Sequence, residues 1–349
     1  MIAAFRLERY TARHLKNEDS MGITLRALRL VGSPSSLVDV SLDENRIVAI
    51  HPSSSSEAAD WSGRQVAFSG FINAHTHLPM VLLRGLADDV PLQTWLEEHV
   101  WPAERNLTPE DVYWGSLLAI AEGIRSGTTT FFDMYFNCDE IARAVEESGV
   151  RAMLSYGMVA PSLDDRGREE LKRSIDLVKR WNHRANDRIH VALSPHALYT
   201  CGHDVWRETI EQAQCLGVPI HSHVAETRSE VQEWIARTGM TPVRSLEELG
   251  AFAVPMVAAH CVHVSDEDIA SLSEGNVTVA HCPKSNAKLG SGIAPVAKML
   301  QAGVRVAIGT DGAASNNRLD MLDEMRSAWV LQRGRAENPS LLPSRDVIS

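Results

Sequence analysis

The chain has 349 residues, of which 44% are hydrophobic and 23% charged, as is usual for a globular protein. Its formal net charge of -11 argues against nucleic acid or an anionic membrane as a partner, because both require a basic face. No apolar run reaches the length that a membrane-spanning helix needs.

The five cysteines are odd in number, scattered along the chain and without a C-x-x-C pair. A disulfide framework usually shows an even number of cysteines at regular spacings. The pattern therefore predicts free thiols and a reducing compartment, the cytoplasm.

The N-terminal part divides into two predicted regions. Residues 1–20 have no secretory apolar core, and we expect a disordered leader there. Residues 21–65 hold the strand-like segments ITLRALRLV, LVDVSL and RIVAIH, with turn-like GSPSS and DEN between them. They predict a small antiparallel β unit, part of a β-sandwich, followed by a polar loop at 52–60.

From residue 66 to 349, short apolar strands alternate with amphipathic helices, which is typical of a parallel α/β fold. Helices are predicted at 113–126, 138–148, 168–182 and 203–216, with an inserted loop or extra helix at 86–110. Eight strands are predicted, at 66–75, 128–133, 151–157, 189–196, 219–223, 256–260, 277–281 and 305–311. The fold expected for this region is a (β/α)8 TIM-like barrel.

Polar residues at the strand ends support the barrel. Barrel enzymes build their sites at the C-terminal ends of several strands, whereas doubly wound sheets usually carry a Gly-rich phosphate loop. Neither G-x-G-x-x-G nor G-x-x-x-x-G-K-[ST] occurs in the chain. Six predicted strands end in a residue of catalytic type: His75, His196, His223, His260, His281 and Asp311.

His75 and His77 are two residues apart on a predicted strand, so their imidazoles point the same way. An isolated pair of this kind is as often structural as functional. Here His223 and Asp311 end other strands, and three imidazoles with one carboxylate suit Zn²⁺, with Fe²⁺ and Mn²⁺ as alternatives. We expect one divalent metal with water in an open position.

Two further histidines lie close to these positions. We expect His221 to point to the other side of its strand from His223 and to pack outside the barrel. For His263, just past the sixth strand, a packing role is favoured over a catalytic one.

The chain resembles the amidohydrolase superfamily, and within it the 5'-methylthioadenosine/S-adenosylhomocysteine deaminases, close to the chlorohydrolase-type triazine enzymes. The resemblance covers about residues 23–335 and rests on an ordered set of motifs. These are GFINAHTHLPMVLLRGLADDVPLQTWLEEHVWPAE, SPHALYT, HSHVAET, AAHCVHVSDEDIA, HCPKSNAKLGSGIAPV and GTDGAASNNRLDMLDEMR.

By this resemblance, one metal is bound by His75, His77, His223 and Asp311. Glu226 and His260 match the acid/base pair of the family. Glu226 is expected to protonate the ring nitrogen next to the attacked carbon, while His260 stabilises the tetrahedral intermediate. Asp311 is expected to accept the water proton and to pass one to the leaving amine. A purely structural carboxylate at a helix N-terminus stays open as the alternative for Glu226.

The resemblance also implies substrate contacts. Trp95 packs beside the ligand or belongs to the core, Glu104 accepts the ribose hydroxyls, and His196 contacts the purine side. Arg168, with Arg166 as a near-equal candidate, lies near the ribose or its 5' substituent. Tyr156 stands where these deaminases often carry a second arginine, which weakens the case for an anionic 5' substituent.

The predicted function is a hydrolase of the deaminase type, acting on the cyclic amidine C–N bond of an adenosine-type nucleoside. The candidate substrates are 5'-methylthioadenosine, S-adenosylhomocysteine and adenosine, each giving the inosine analogue and ammonia. One alternative is a deaminase or chlorohydrolase of another N-heterocycle, such as a triazine, guanine or pterin.

The second alternative is an inactive truncated remnant, because the family continues beyond LLPSRDVIS. On that comparison we expect the composite β-sandwich to be incomplete, with the chain a fragment, unstable or covered in a homo-oligomer.

Overall fold

The computed structural model describes residues 22–31, 33–43, 46–53 and 66–348. The predicted leader, and the polar loop from residue 54 onward, lie outside the described residues. The chain forms two compact units. One comprises the described residues up to Phe71 together with Gly127–Thr129, and the other comprises Ile72–Ser126 and the described residues from Thr130 onward. The predicted division at residues 20 and 65 stays a prediction.

The first unit contains a four-stranded sheet in the order β3-β2-β1-β4. Its strands are β1 Ile23–Leu30, β2 Ser33–Asp43, β3 Arg46–Pro52 and β4 Val66–Ala67. The antiparallel pairing predicted for the first three strands is confirmed, while β4 pairs with β1 in parallel. Residues 66–67 were predicted to begin the first barrel strand, and this is wrong, because Ala67 packs with Leu28 and Val40 in this sheet.

The eight-stranded parallel sheet confirms the predicted (β/α)8 barrel. Its strands are β5 Phe71–Thr76, β6 Thr128–Tyr135, β7 Arg151–Met158, β8 Ile189–Pro195, β9 Ile220–Val224, β10 Met256–His260, β11 Val277–His281 and β12 Arg305–Ile308.

The two ends of this sheet meet just beyond the last strand. Thr310 N donates to Asn73 Oδ1 at 2.9 Å, and Asn73 Nδ2 donates to Thr310 Oγ1 at 2.7 Å. Asp311 N donates to His75 O at 2.9 Å. These contacts place the residues after β12 against β5, so that the first and last strand ends share one rim.

Helices connect the strands, and the four predicted ones occur within a few residues of their expected bounds. No helix in the described part of the chain is both long and apolar enough to cross a membrane. The helices are α1 Leu92–Thr94, α2 Trp101–Glu104, α3 Pro109–Arg125, α4 Cys138–Ser148, α5 Asp165–Trp181, α6 Arg184–Asp187, α7 His203–Leu216, α8 Arg228–Thr238, α9 Pro242–Glu248, α10 Asp266–Glu274, α11 Pro283–Lys288, α12 Val296–Gln301, α13 Ala313–Asn316, α14 Met321–Ala336 and α15 Ser344–Ile348; 3₁₀ turns span Leu78–Leu83 and Ala251–Ala253, and a π-helical turn spans Trp95–Val100.

Side-chain alternation explains why the barrel strands are apolar on both faces. On β10, Met256 and Ala258 join the apolar layer that includes helical residues such as Trp206. Val257, on the opposite face, packs with Ala192 and Ala280 of neighbouring strands. The candidate site forms from polar residues at the C-terminal ends of these strands.

Candidate active site

The four predicted metal ligands converge on one point. One ring nitrogen from each of His75, His77 and His223 lies within 4.8 Å of the others. Asp311 Oδ1 lies 3.1 Å from His77 Nε2 and 3.5 Å from His75 Nε2. Three imidazoles and one carboxylate from the ends of β5, β9 and β12 form a donor set that suits a divalent metal.

The hydrogen bonds of these histidines prepare them for a metal. Nδ1 of His77 and Nδ1 of His223 each face a backbone carbonyl, that of Met134 and that of His196. A carbonyl only accepts, so both Nδ1 atoms carry a hydrogen, and in the neutral form of each ring Nε2 is the nitrogen with the lone pair. His75 Nε2 is buried and makes no hydrogen bond to any of the described residues. The residues therefore fit a metal in tautomer as well as in position.

His221 lies inside the barrel, and the prediction that it packs outside is wrong. Residues two apart on a strand share a face, so His221 points inward with His223. Its Nε2 lies 2.9 Å from His75 Nδ1, and its Nδ1 lies 3.4 Å from Ser155 Oγ. Ser155 Oγ donates in turn to Asp133 O at 2.9 Å. His221 thus accepts the Nδ1 hydrogen of His75 and fixes the tautomer of that ring.

Burial and contacts with Asp311 set the protonation of the four residues. Burial lowers the pKa of His75 to about 4 and the pKa of His223 well below its ordinary value, so both are neutral at pH 7. Burial also opposes the charge of His77, but the hydrogen bond and charge of Asp311, together with the Met134 carbonyl and Asp133, outweigh burial and raise the pKa of His77 to about 9. Burial alone would raise the pKa of Asp311, yet the contacts of its carboxylate with His75 and His77 hold this pKa well below its usual range.

The carboxylate of Asp311 accepts three hydrogen bonds from residues that are not among the predicted metal ligands. Oδ2 accepts from Ser285 Oγ at 2.6 Å and from Ser315 Oγ at 2.9 Å. Oδ1 accepts from the backbone N–H of Gly312 at 2.8 Å. These bonds leave Oδ1 directed at the two histidines of β5. Asp311 was predicted from the sequence, whereas neither serine was.

Glu226 and His260 lie beside the donor set. His260 Nε2 is 3.7 Å from Glu226 Oε2, and Ser291 Oγ donates to Glu226 Oε1 at 3.4 Å. His260 Nδ1 donates to Asn286 Oδ1 at 2.8 Å, so Nε2 of the neutral ring is an acceptor. Burial raises the pKa of Glu226, which favours the protonated form that a general acid needs.

Left-handed backbone turns aim several of these side chains. On β10, Met256 and Ala258 face the helices, and strict alternation would turn His260 the same way. His260 instead has φ +74°, and its ring centroid lies 5.4 Å from that of His223. Asp311 and Ala225 also have positive φ, at +60° and +50°. Such conformations are costly for residues other than glycine and concentrate at functional sites.

Glu230 holds the turn that carries Glu226. Its carboxylate accepts from the backbone N–H of Glu226 at 2.8 Å, of Ala225 at 3.2 Å and of Thr227 at 3.3 Å. Thr227 Oγ1 accepts from Glu230 N at 3.1 Å, which completes a capping box at the start of α8. The T-x-x-E spacing is readable in the sequence, but its connection to Glu226 is not.

One cavity, here called the central cavity, opens onto these groups. Of the predicted substrate contacts it is lined by Trp95, Glu104 and His196, together with His77, Glu226, His260 and Asp311. Trp95 is buried, and its Nε1 donates to Leu86 O at 3.1 Å. The structure does not bring Arg168 to the cavity, since this side chain is exposed on α5 and absent from the lining. Its predicted role therefore has no support in the geometry.

Glu104 presents an unpaired polar atom to the central cavity. Its Oε1 is buried without a hydrogen-bond partner among the described residues, and so is the hydroxyl of Tyr135, which also lines the cavity. Burial raises the pKa of Glu104. A buried carboxylate oxygen without a partner is unfavourable unless a ligand supplies the hydrogen bond.

Comparison with known proteins places the chain among enzymes. A model of the amidohydrolase family matches residues 66–348. The 5-methylthioadenosine/S-adenosylhomocysteine deaminase of Carboxydothermus hydrogenoformans is 50% identical over 318 residues, 89% of this chain and 73% of that protein. The 5'-deoxyadenosine deaminase of Methanothermobacter thermautotrophicus is 46% identical over 314 residues, 89% of this chain and 73% of that protein.

The fold is also similar to that of a solved deaminase. The crystal structure of an adenosine deaminase from Xanthomonas campestris with bound zinc has a TM-score of 0.81 and 35% identity. The similarity covers 89% of this chain and 72% of that one.

Proposed function

The chain belongs to the amidohydrolase family, and to its 5-methylthioadenosine/S-adenosylhomocysteine deaminases, and from this premise we propose that it deaminates adenosine-type nucleosides. The reaction replaces the amino group on the purine ring by oxygen and gives the inosine analogue plus ammonia. The observation that carries the proposal is the convergence of three imidazoles and Asp311 next to Glu226 and His260, on one cavity.

The proposed metal ligands are His75, His77, His223 and Asp311. A divalent ion held there supplies Lewis acidity and a water of lowered pKa. The hydrogen bonds of His77 Nδ1 and His223 Nδ1 support this assignment, because they leave Nε2 of each ring as the ligand atom. Three ligand nitrogens and one carboxylate oxygen suit Zn²⁺. The zinc in the adenosine deaminase from Xanthomonas campestris supports the same choice, although Fe²⁺ and Mn²⁺ accept similar donors.

The remaining chemistry is assigned to three side chains. Glu226 protonates the ring nitrogen beside the attacked carbon, for which its raised pKa is suitable. His260, with its hydrogen on Nδ1, accepts a hydrogen bond from the attacking oxygen at Nε2 and so orients it. Asp311 takes the proton of the attacking water and returns it to the leaving amine.

The proposed nucleoside contacts are Glu104, Trp95 and His196. Glu104 Oε1 is a buried acceptor without a partner among the described residues, and two vicinal ribose hydroxyls would supply the missing hydrogen bonds. The buried indole of Trp95 offers an apolar wall. We further propose a cytoplasmic location, supported by five free cysteines. Whether the chain forms a homo-oligomer stays a prediction.

Ammonia release tests the proposal directly. The metal-loaded protein is assayed with 5'-methylthioadenosine, S-adenosylhomocysteine, 5'-deoxyadenosine, adenosine, and with guanine and a triazine for comparison. We expect turnover of at least one nucleoside and loss of both bound metal and activity in Asp311→Ala. A metal-loaded, folded protein that releases ammonia from none of the nucleosides would contradict the proposal, and turnover of the bases alone would favour another heterocycle.

Replacing Glu104 tests the ribose contact. We expect Glu104→Gln to lower kcat/KM for nucleosides by roughly 10–100-fold, because one charged hydrogen-bond acceptor contributes about 1.5–3 kcal/mol. The matched control is Glu98→Gln, since Glu98 is an exposed residue of the same helical segment. Equal activity of Glu104→Gln and the wild type would exclude Glu104 from ribose recognition.

A further inference from the structure

The carboxyl group of Glu226 has a donor at one oxygen and an acceptor near the other. Ser291 Oγ donates to Oε1 at 3.4 Å, and both residues are buried. His260 Nε2 lies 3.7 Å from Oε2 and is an acceptor, because Nδ1 of this ring donates to Asn286 Oδ1. Within the part of the chain that the structure describes, no other group donates a hydrogen bond to this carboxyl. These contacts favour Oε2 as the oxygen that carries the hydrogen of protonated Glu226.

Glycines on both sides of Ser291 allow the chain to bring it to this position. Gly290 and Gly292 have φ +67° and +123°, which side chains other than hydrogen disfavour. A Cβ atom on Gly292 would also lie only 3.1 Å from Val262 Cγ1. Gly292 N donates to Asn286 O at 3.2 Å, so the turn is attached to the residue that orients His260.

The turn after β10 holds Ser291 from the other side. His263 Nε2 donates to Ser291 O at 2.7 Å. The backbone N–H groups of Val262 and His263 both donate to Ala225 O at 3.0 Å, and Ala225 precedes Glu226 in the chain. The same two residues thus contact the segment that carries the hydroxyl and the segment that carries the carboxyl group, which fixes their separation.

The hydrogen bond from Ser291 strengthens as Glu226 loses its proton. Burial raises the pKa of Glu226, and the Ser291 hydroxyl opposes this effect. When Glu226 protonates the substrate, the electron pair of its O–H bond stays on the carboxylate, and the lone pair of the ring nitrogen forms the new N–H bond. Hydrogen bonds to an ionised acceptor are stronger than those to a neutral one. Ser291 therefore contributes more to the transition state than to the ground state.

We propose that Ser291 is a positioning residue of the reaction, which directs the acidic hydrogen of Glu226 to Oε2 and stabilises the carboxylate left after the proton transfer. The proposal rests on the proposed function, in which Glu226 is the acid. The described lining of the central cavity includes Glu226 but not Ser291, so Ser291 acts on the substrate through Glu226.

Steady-state kinetics of Ser291→Ala test the proposal on the metal-loaded protein, with the nucleoside that the wild type turns over fastest. We expect kcat to fall about tenfold, as for the loss of one hydrogen bond to a charged group. KM and bound metal should stay close to the wild-type values, because neither the cavity lining nor the donor set changes. The matched control is Ser116→Ala, another buried serine, which donates to Val112 O within α3 at 2.7 Å.

A second substitution shows whether Ser291 acts through Glu226. In a Glu226→Gln background the acidic hydrogen is absent, so Ser291→Ala should lower the remaining kcat by no more than about twofold, the non-additivity expected of coupled residues. A tenfold loss in both backgrounds would show that Ser291 acts independently of Glu226 and would overturn the proposal.

His263→Leu keeps the test decisive if Ser291→Ala does not fold. It removes the donor to Ser291 O but not the Ser291 hydroxyl, and should lower kcat in the same direction by a smaller factor.

The remaining outcomes are distinct. Wild-type kcat in Ser291→Ala, or in His263→Leu where only that variant folds, would overturn the inference and leave the proposed function intact, and so would an equal fall in Ser116→Ala. Absence of turnover of every nucleoside by the wild type would instead overturn the proposed function, and this inference with it.

Discussion

At the scale of single residues, the site depends on side chains that direct other side chains. His221 accepts from His75, Asn286 accepts from His260, and Ser285 donates to Asp311. Each contact fixes a tautomer or an orientation, so that the atom facing the central cavity has a free lone pair. The motif histidines are thus functional only in combination with buried partners that carry no chemistry of their own.

His221 provides the clearest test of this arrangement. We expect His221→Leu to weaken divalent-metal affinity by about 10–100-fold, because His75 loses the acceptor that fixes its tautomer. Affinity is measured by competition with a chelator. His221→Gln, which keeps an acceptor, should recover part of the loss.

The matched control is His190→Leu, which replaces a half-exposed histidine outside the site. If His221→Leu binds metal as tightly as this control, the contact with His75 has no role in metal binding.

At the scale of secondary-structure elements, strand ends and helix starts set the geometry. The turn from β9 to α8 places Glu226 next to His260, and Ala225 in this turn has φ +50°. Val262 N and His263 N both donate to Ala225 O at 3.0 Å, which ties this turn to the one after β10. The prediction that His263 has a packing role is consistent with its ring, whose Nε2 donates to Ser291 O at 2.7 Å.

Glu230→Gln tests the role of the helix cap in catalysis. We expect this variant to lower kcat about tenfold, a fraction of the roughly 10²–10⁴-fold that a positioned acid contributes. Metal content and KM should change little, because neither the donor set nor the cavity walls depend on Glu230. Steady-state kinetics and metal analysis give these three quantities.

Asp111→Asn is the control, since Asp111 completes the equivalent capping box of α3 far along the chain from Glu226. Both variants should lower the free energy of unfolding, because each weakens a helix cap. A fall in kcat of the same size in both would assign the effect of Glu230 to stability alone.

At the scale of the whole molecule, contacts between distant segments hold the rim together. Glu324 on α14 is fully buried, and its Oε1 accepts from Asn316 Nδ2 at 2.7 Å. Its Oε2 accepts from the backbone N–H of Lys284 at 3.3 Å. Asn316 Nδ2 also donates to Thr310 O, next to Asp311, at 2.6 Å. One carboxyl group thus connects α14, α11 and the segment after β12.

Glu324 predicts a pH dependence of stability. Burial raises the pKa of Glu324 to about 8 from an ordinary value of 4.5, so the folded state keeps a proton that the unfolded chain releases. The free energy of unfolding therefore falls as the pH rises between these two values, and levels off above about pH 8. Urea unfolding of the wild type and Glu324→Gln at about pH 6 and about pH 8.5 measures this dependence.

We expect the wild type to lose more stability over this range than Glu324→Gln, which has no proton to release. An equal loss in both proteins would show that other groups cause the dependence.

The class of fold and most of the chemistry could be predicted from the amino-acid sequence. Strand periodicity and polar strand ends predicted the barrel, because eight alternating elements with ligands at their C-terminal ends have few other solutions. The spacing of His75 and His77 already indicated a shared direction on one strand. The prediction that His221 packs outside the barrel was wrong, although His221 and His223 are also two residues apart on one strand and therefore share a face.

Tertiary structure decided what local pattern does not encode. His260 reaches the site through a left-handed backbone that breaks the alternation of its strand, and Asp311 does so through contacts with β5. The exposure of Arg168 and the meeting of Trp95, Glu104 and His196 at one cavity depend on how helices pack against strand ends, which no window of sequence contains. Metal ligands follow from short-range periodicity, whereas substrate selectivity follows from the packing of segments that are far apart in the chain.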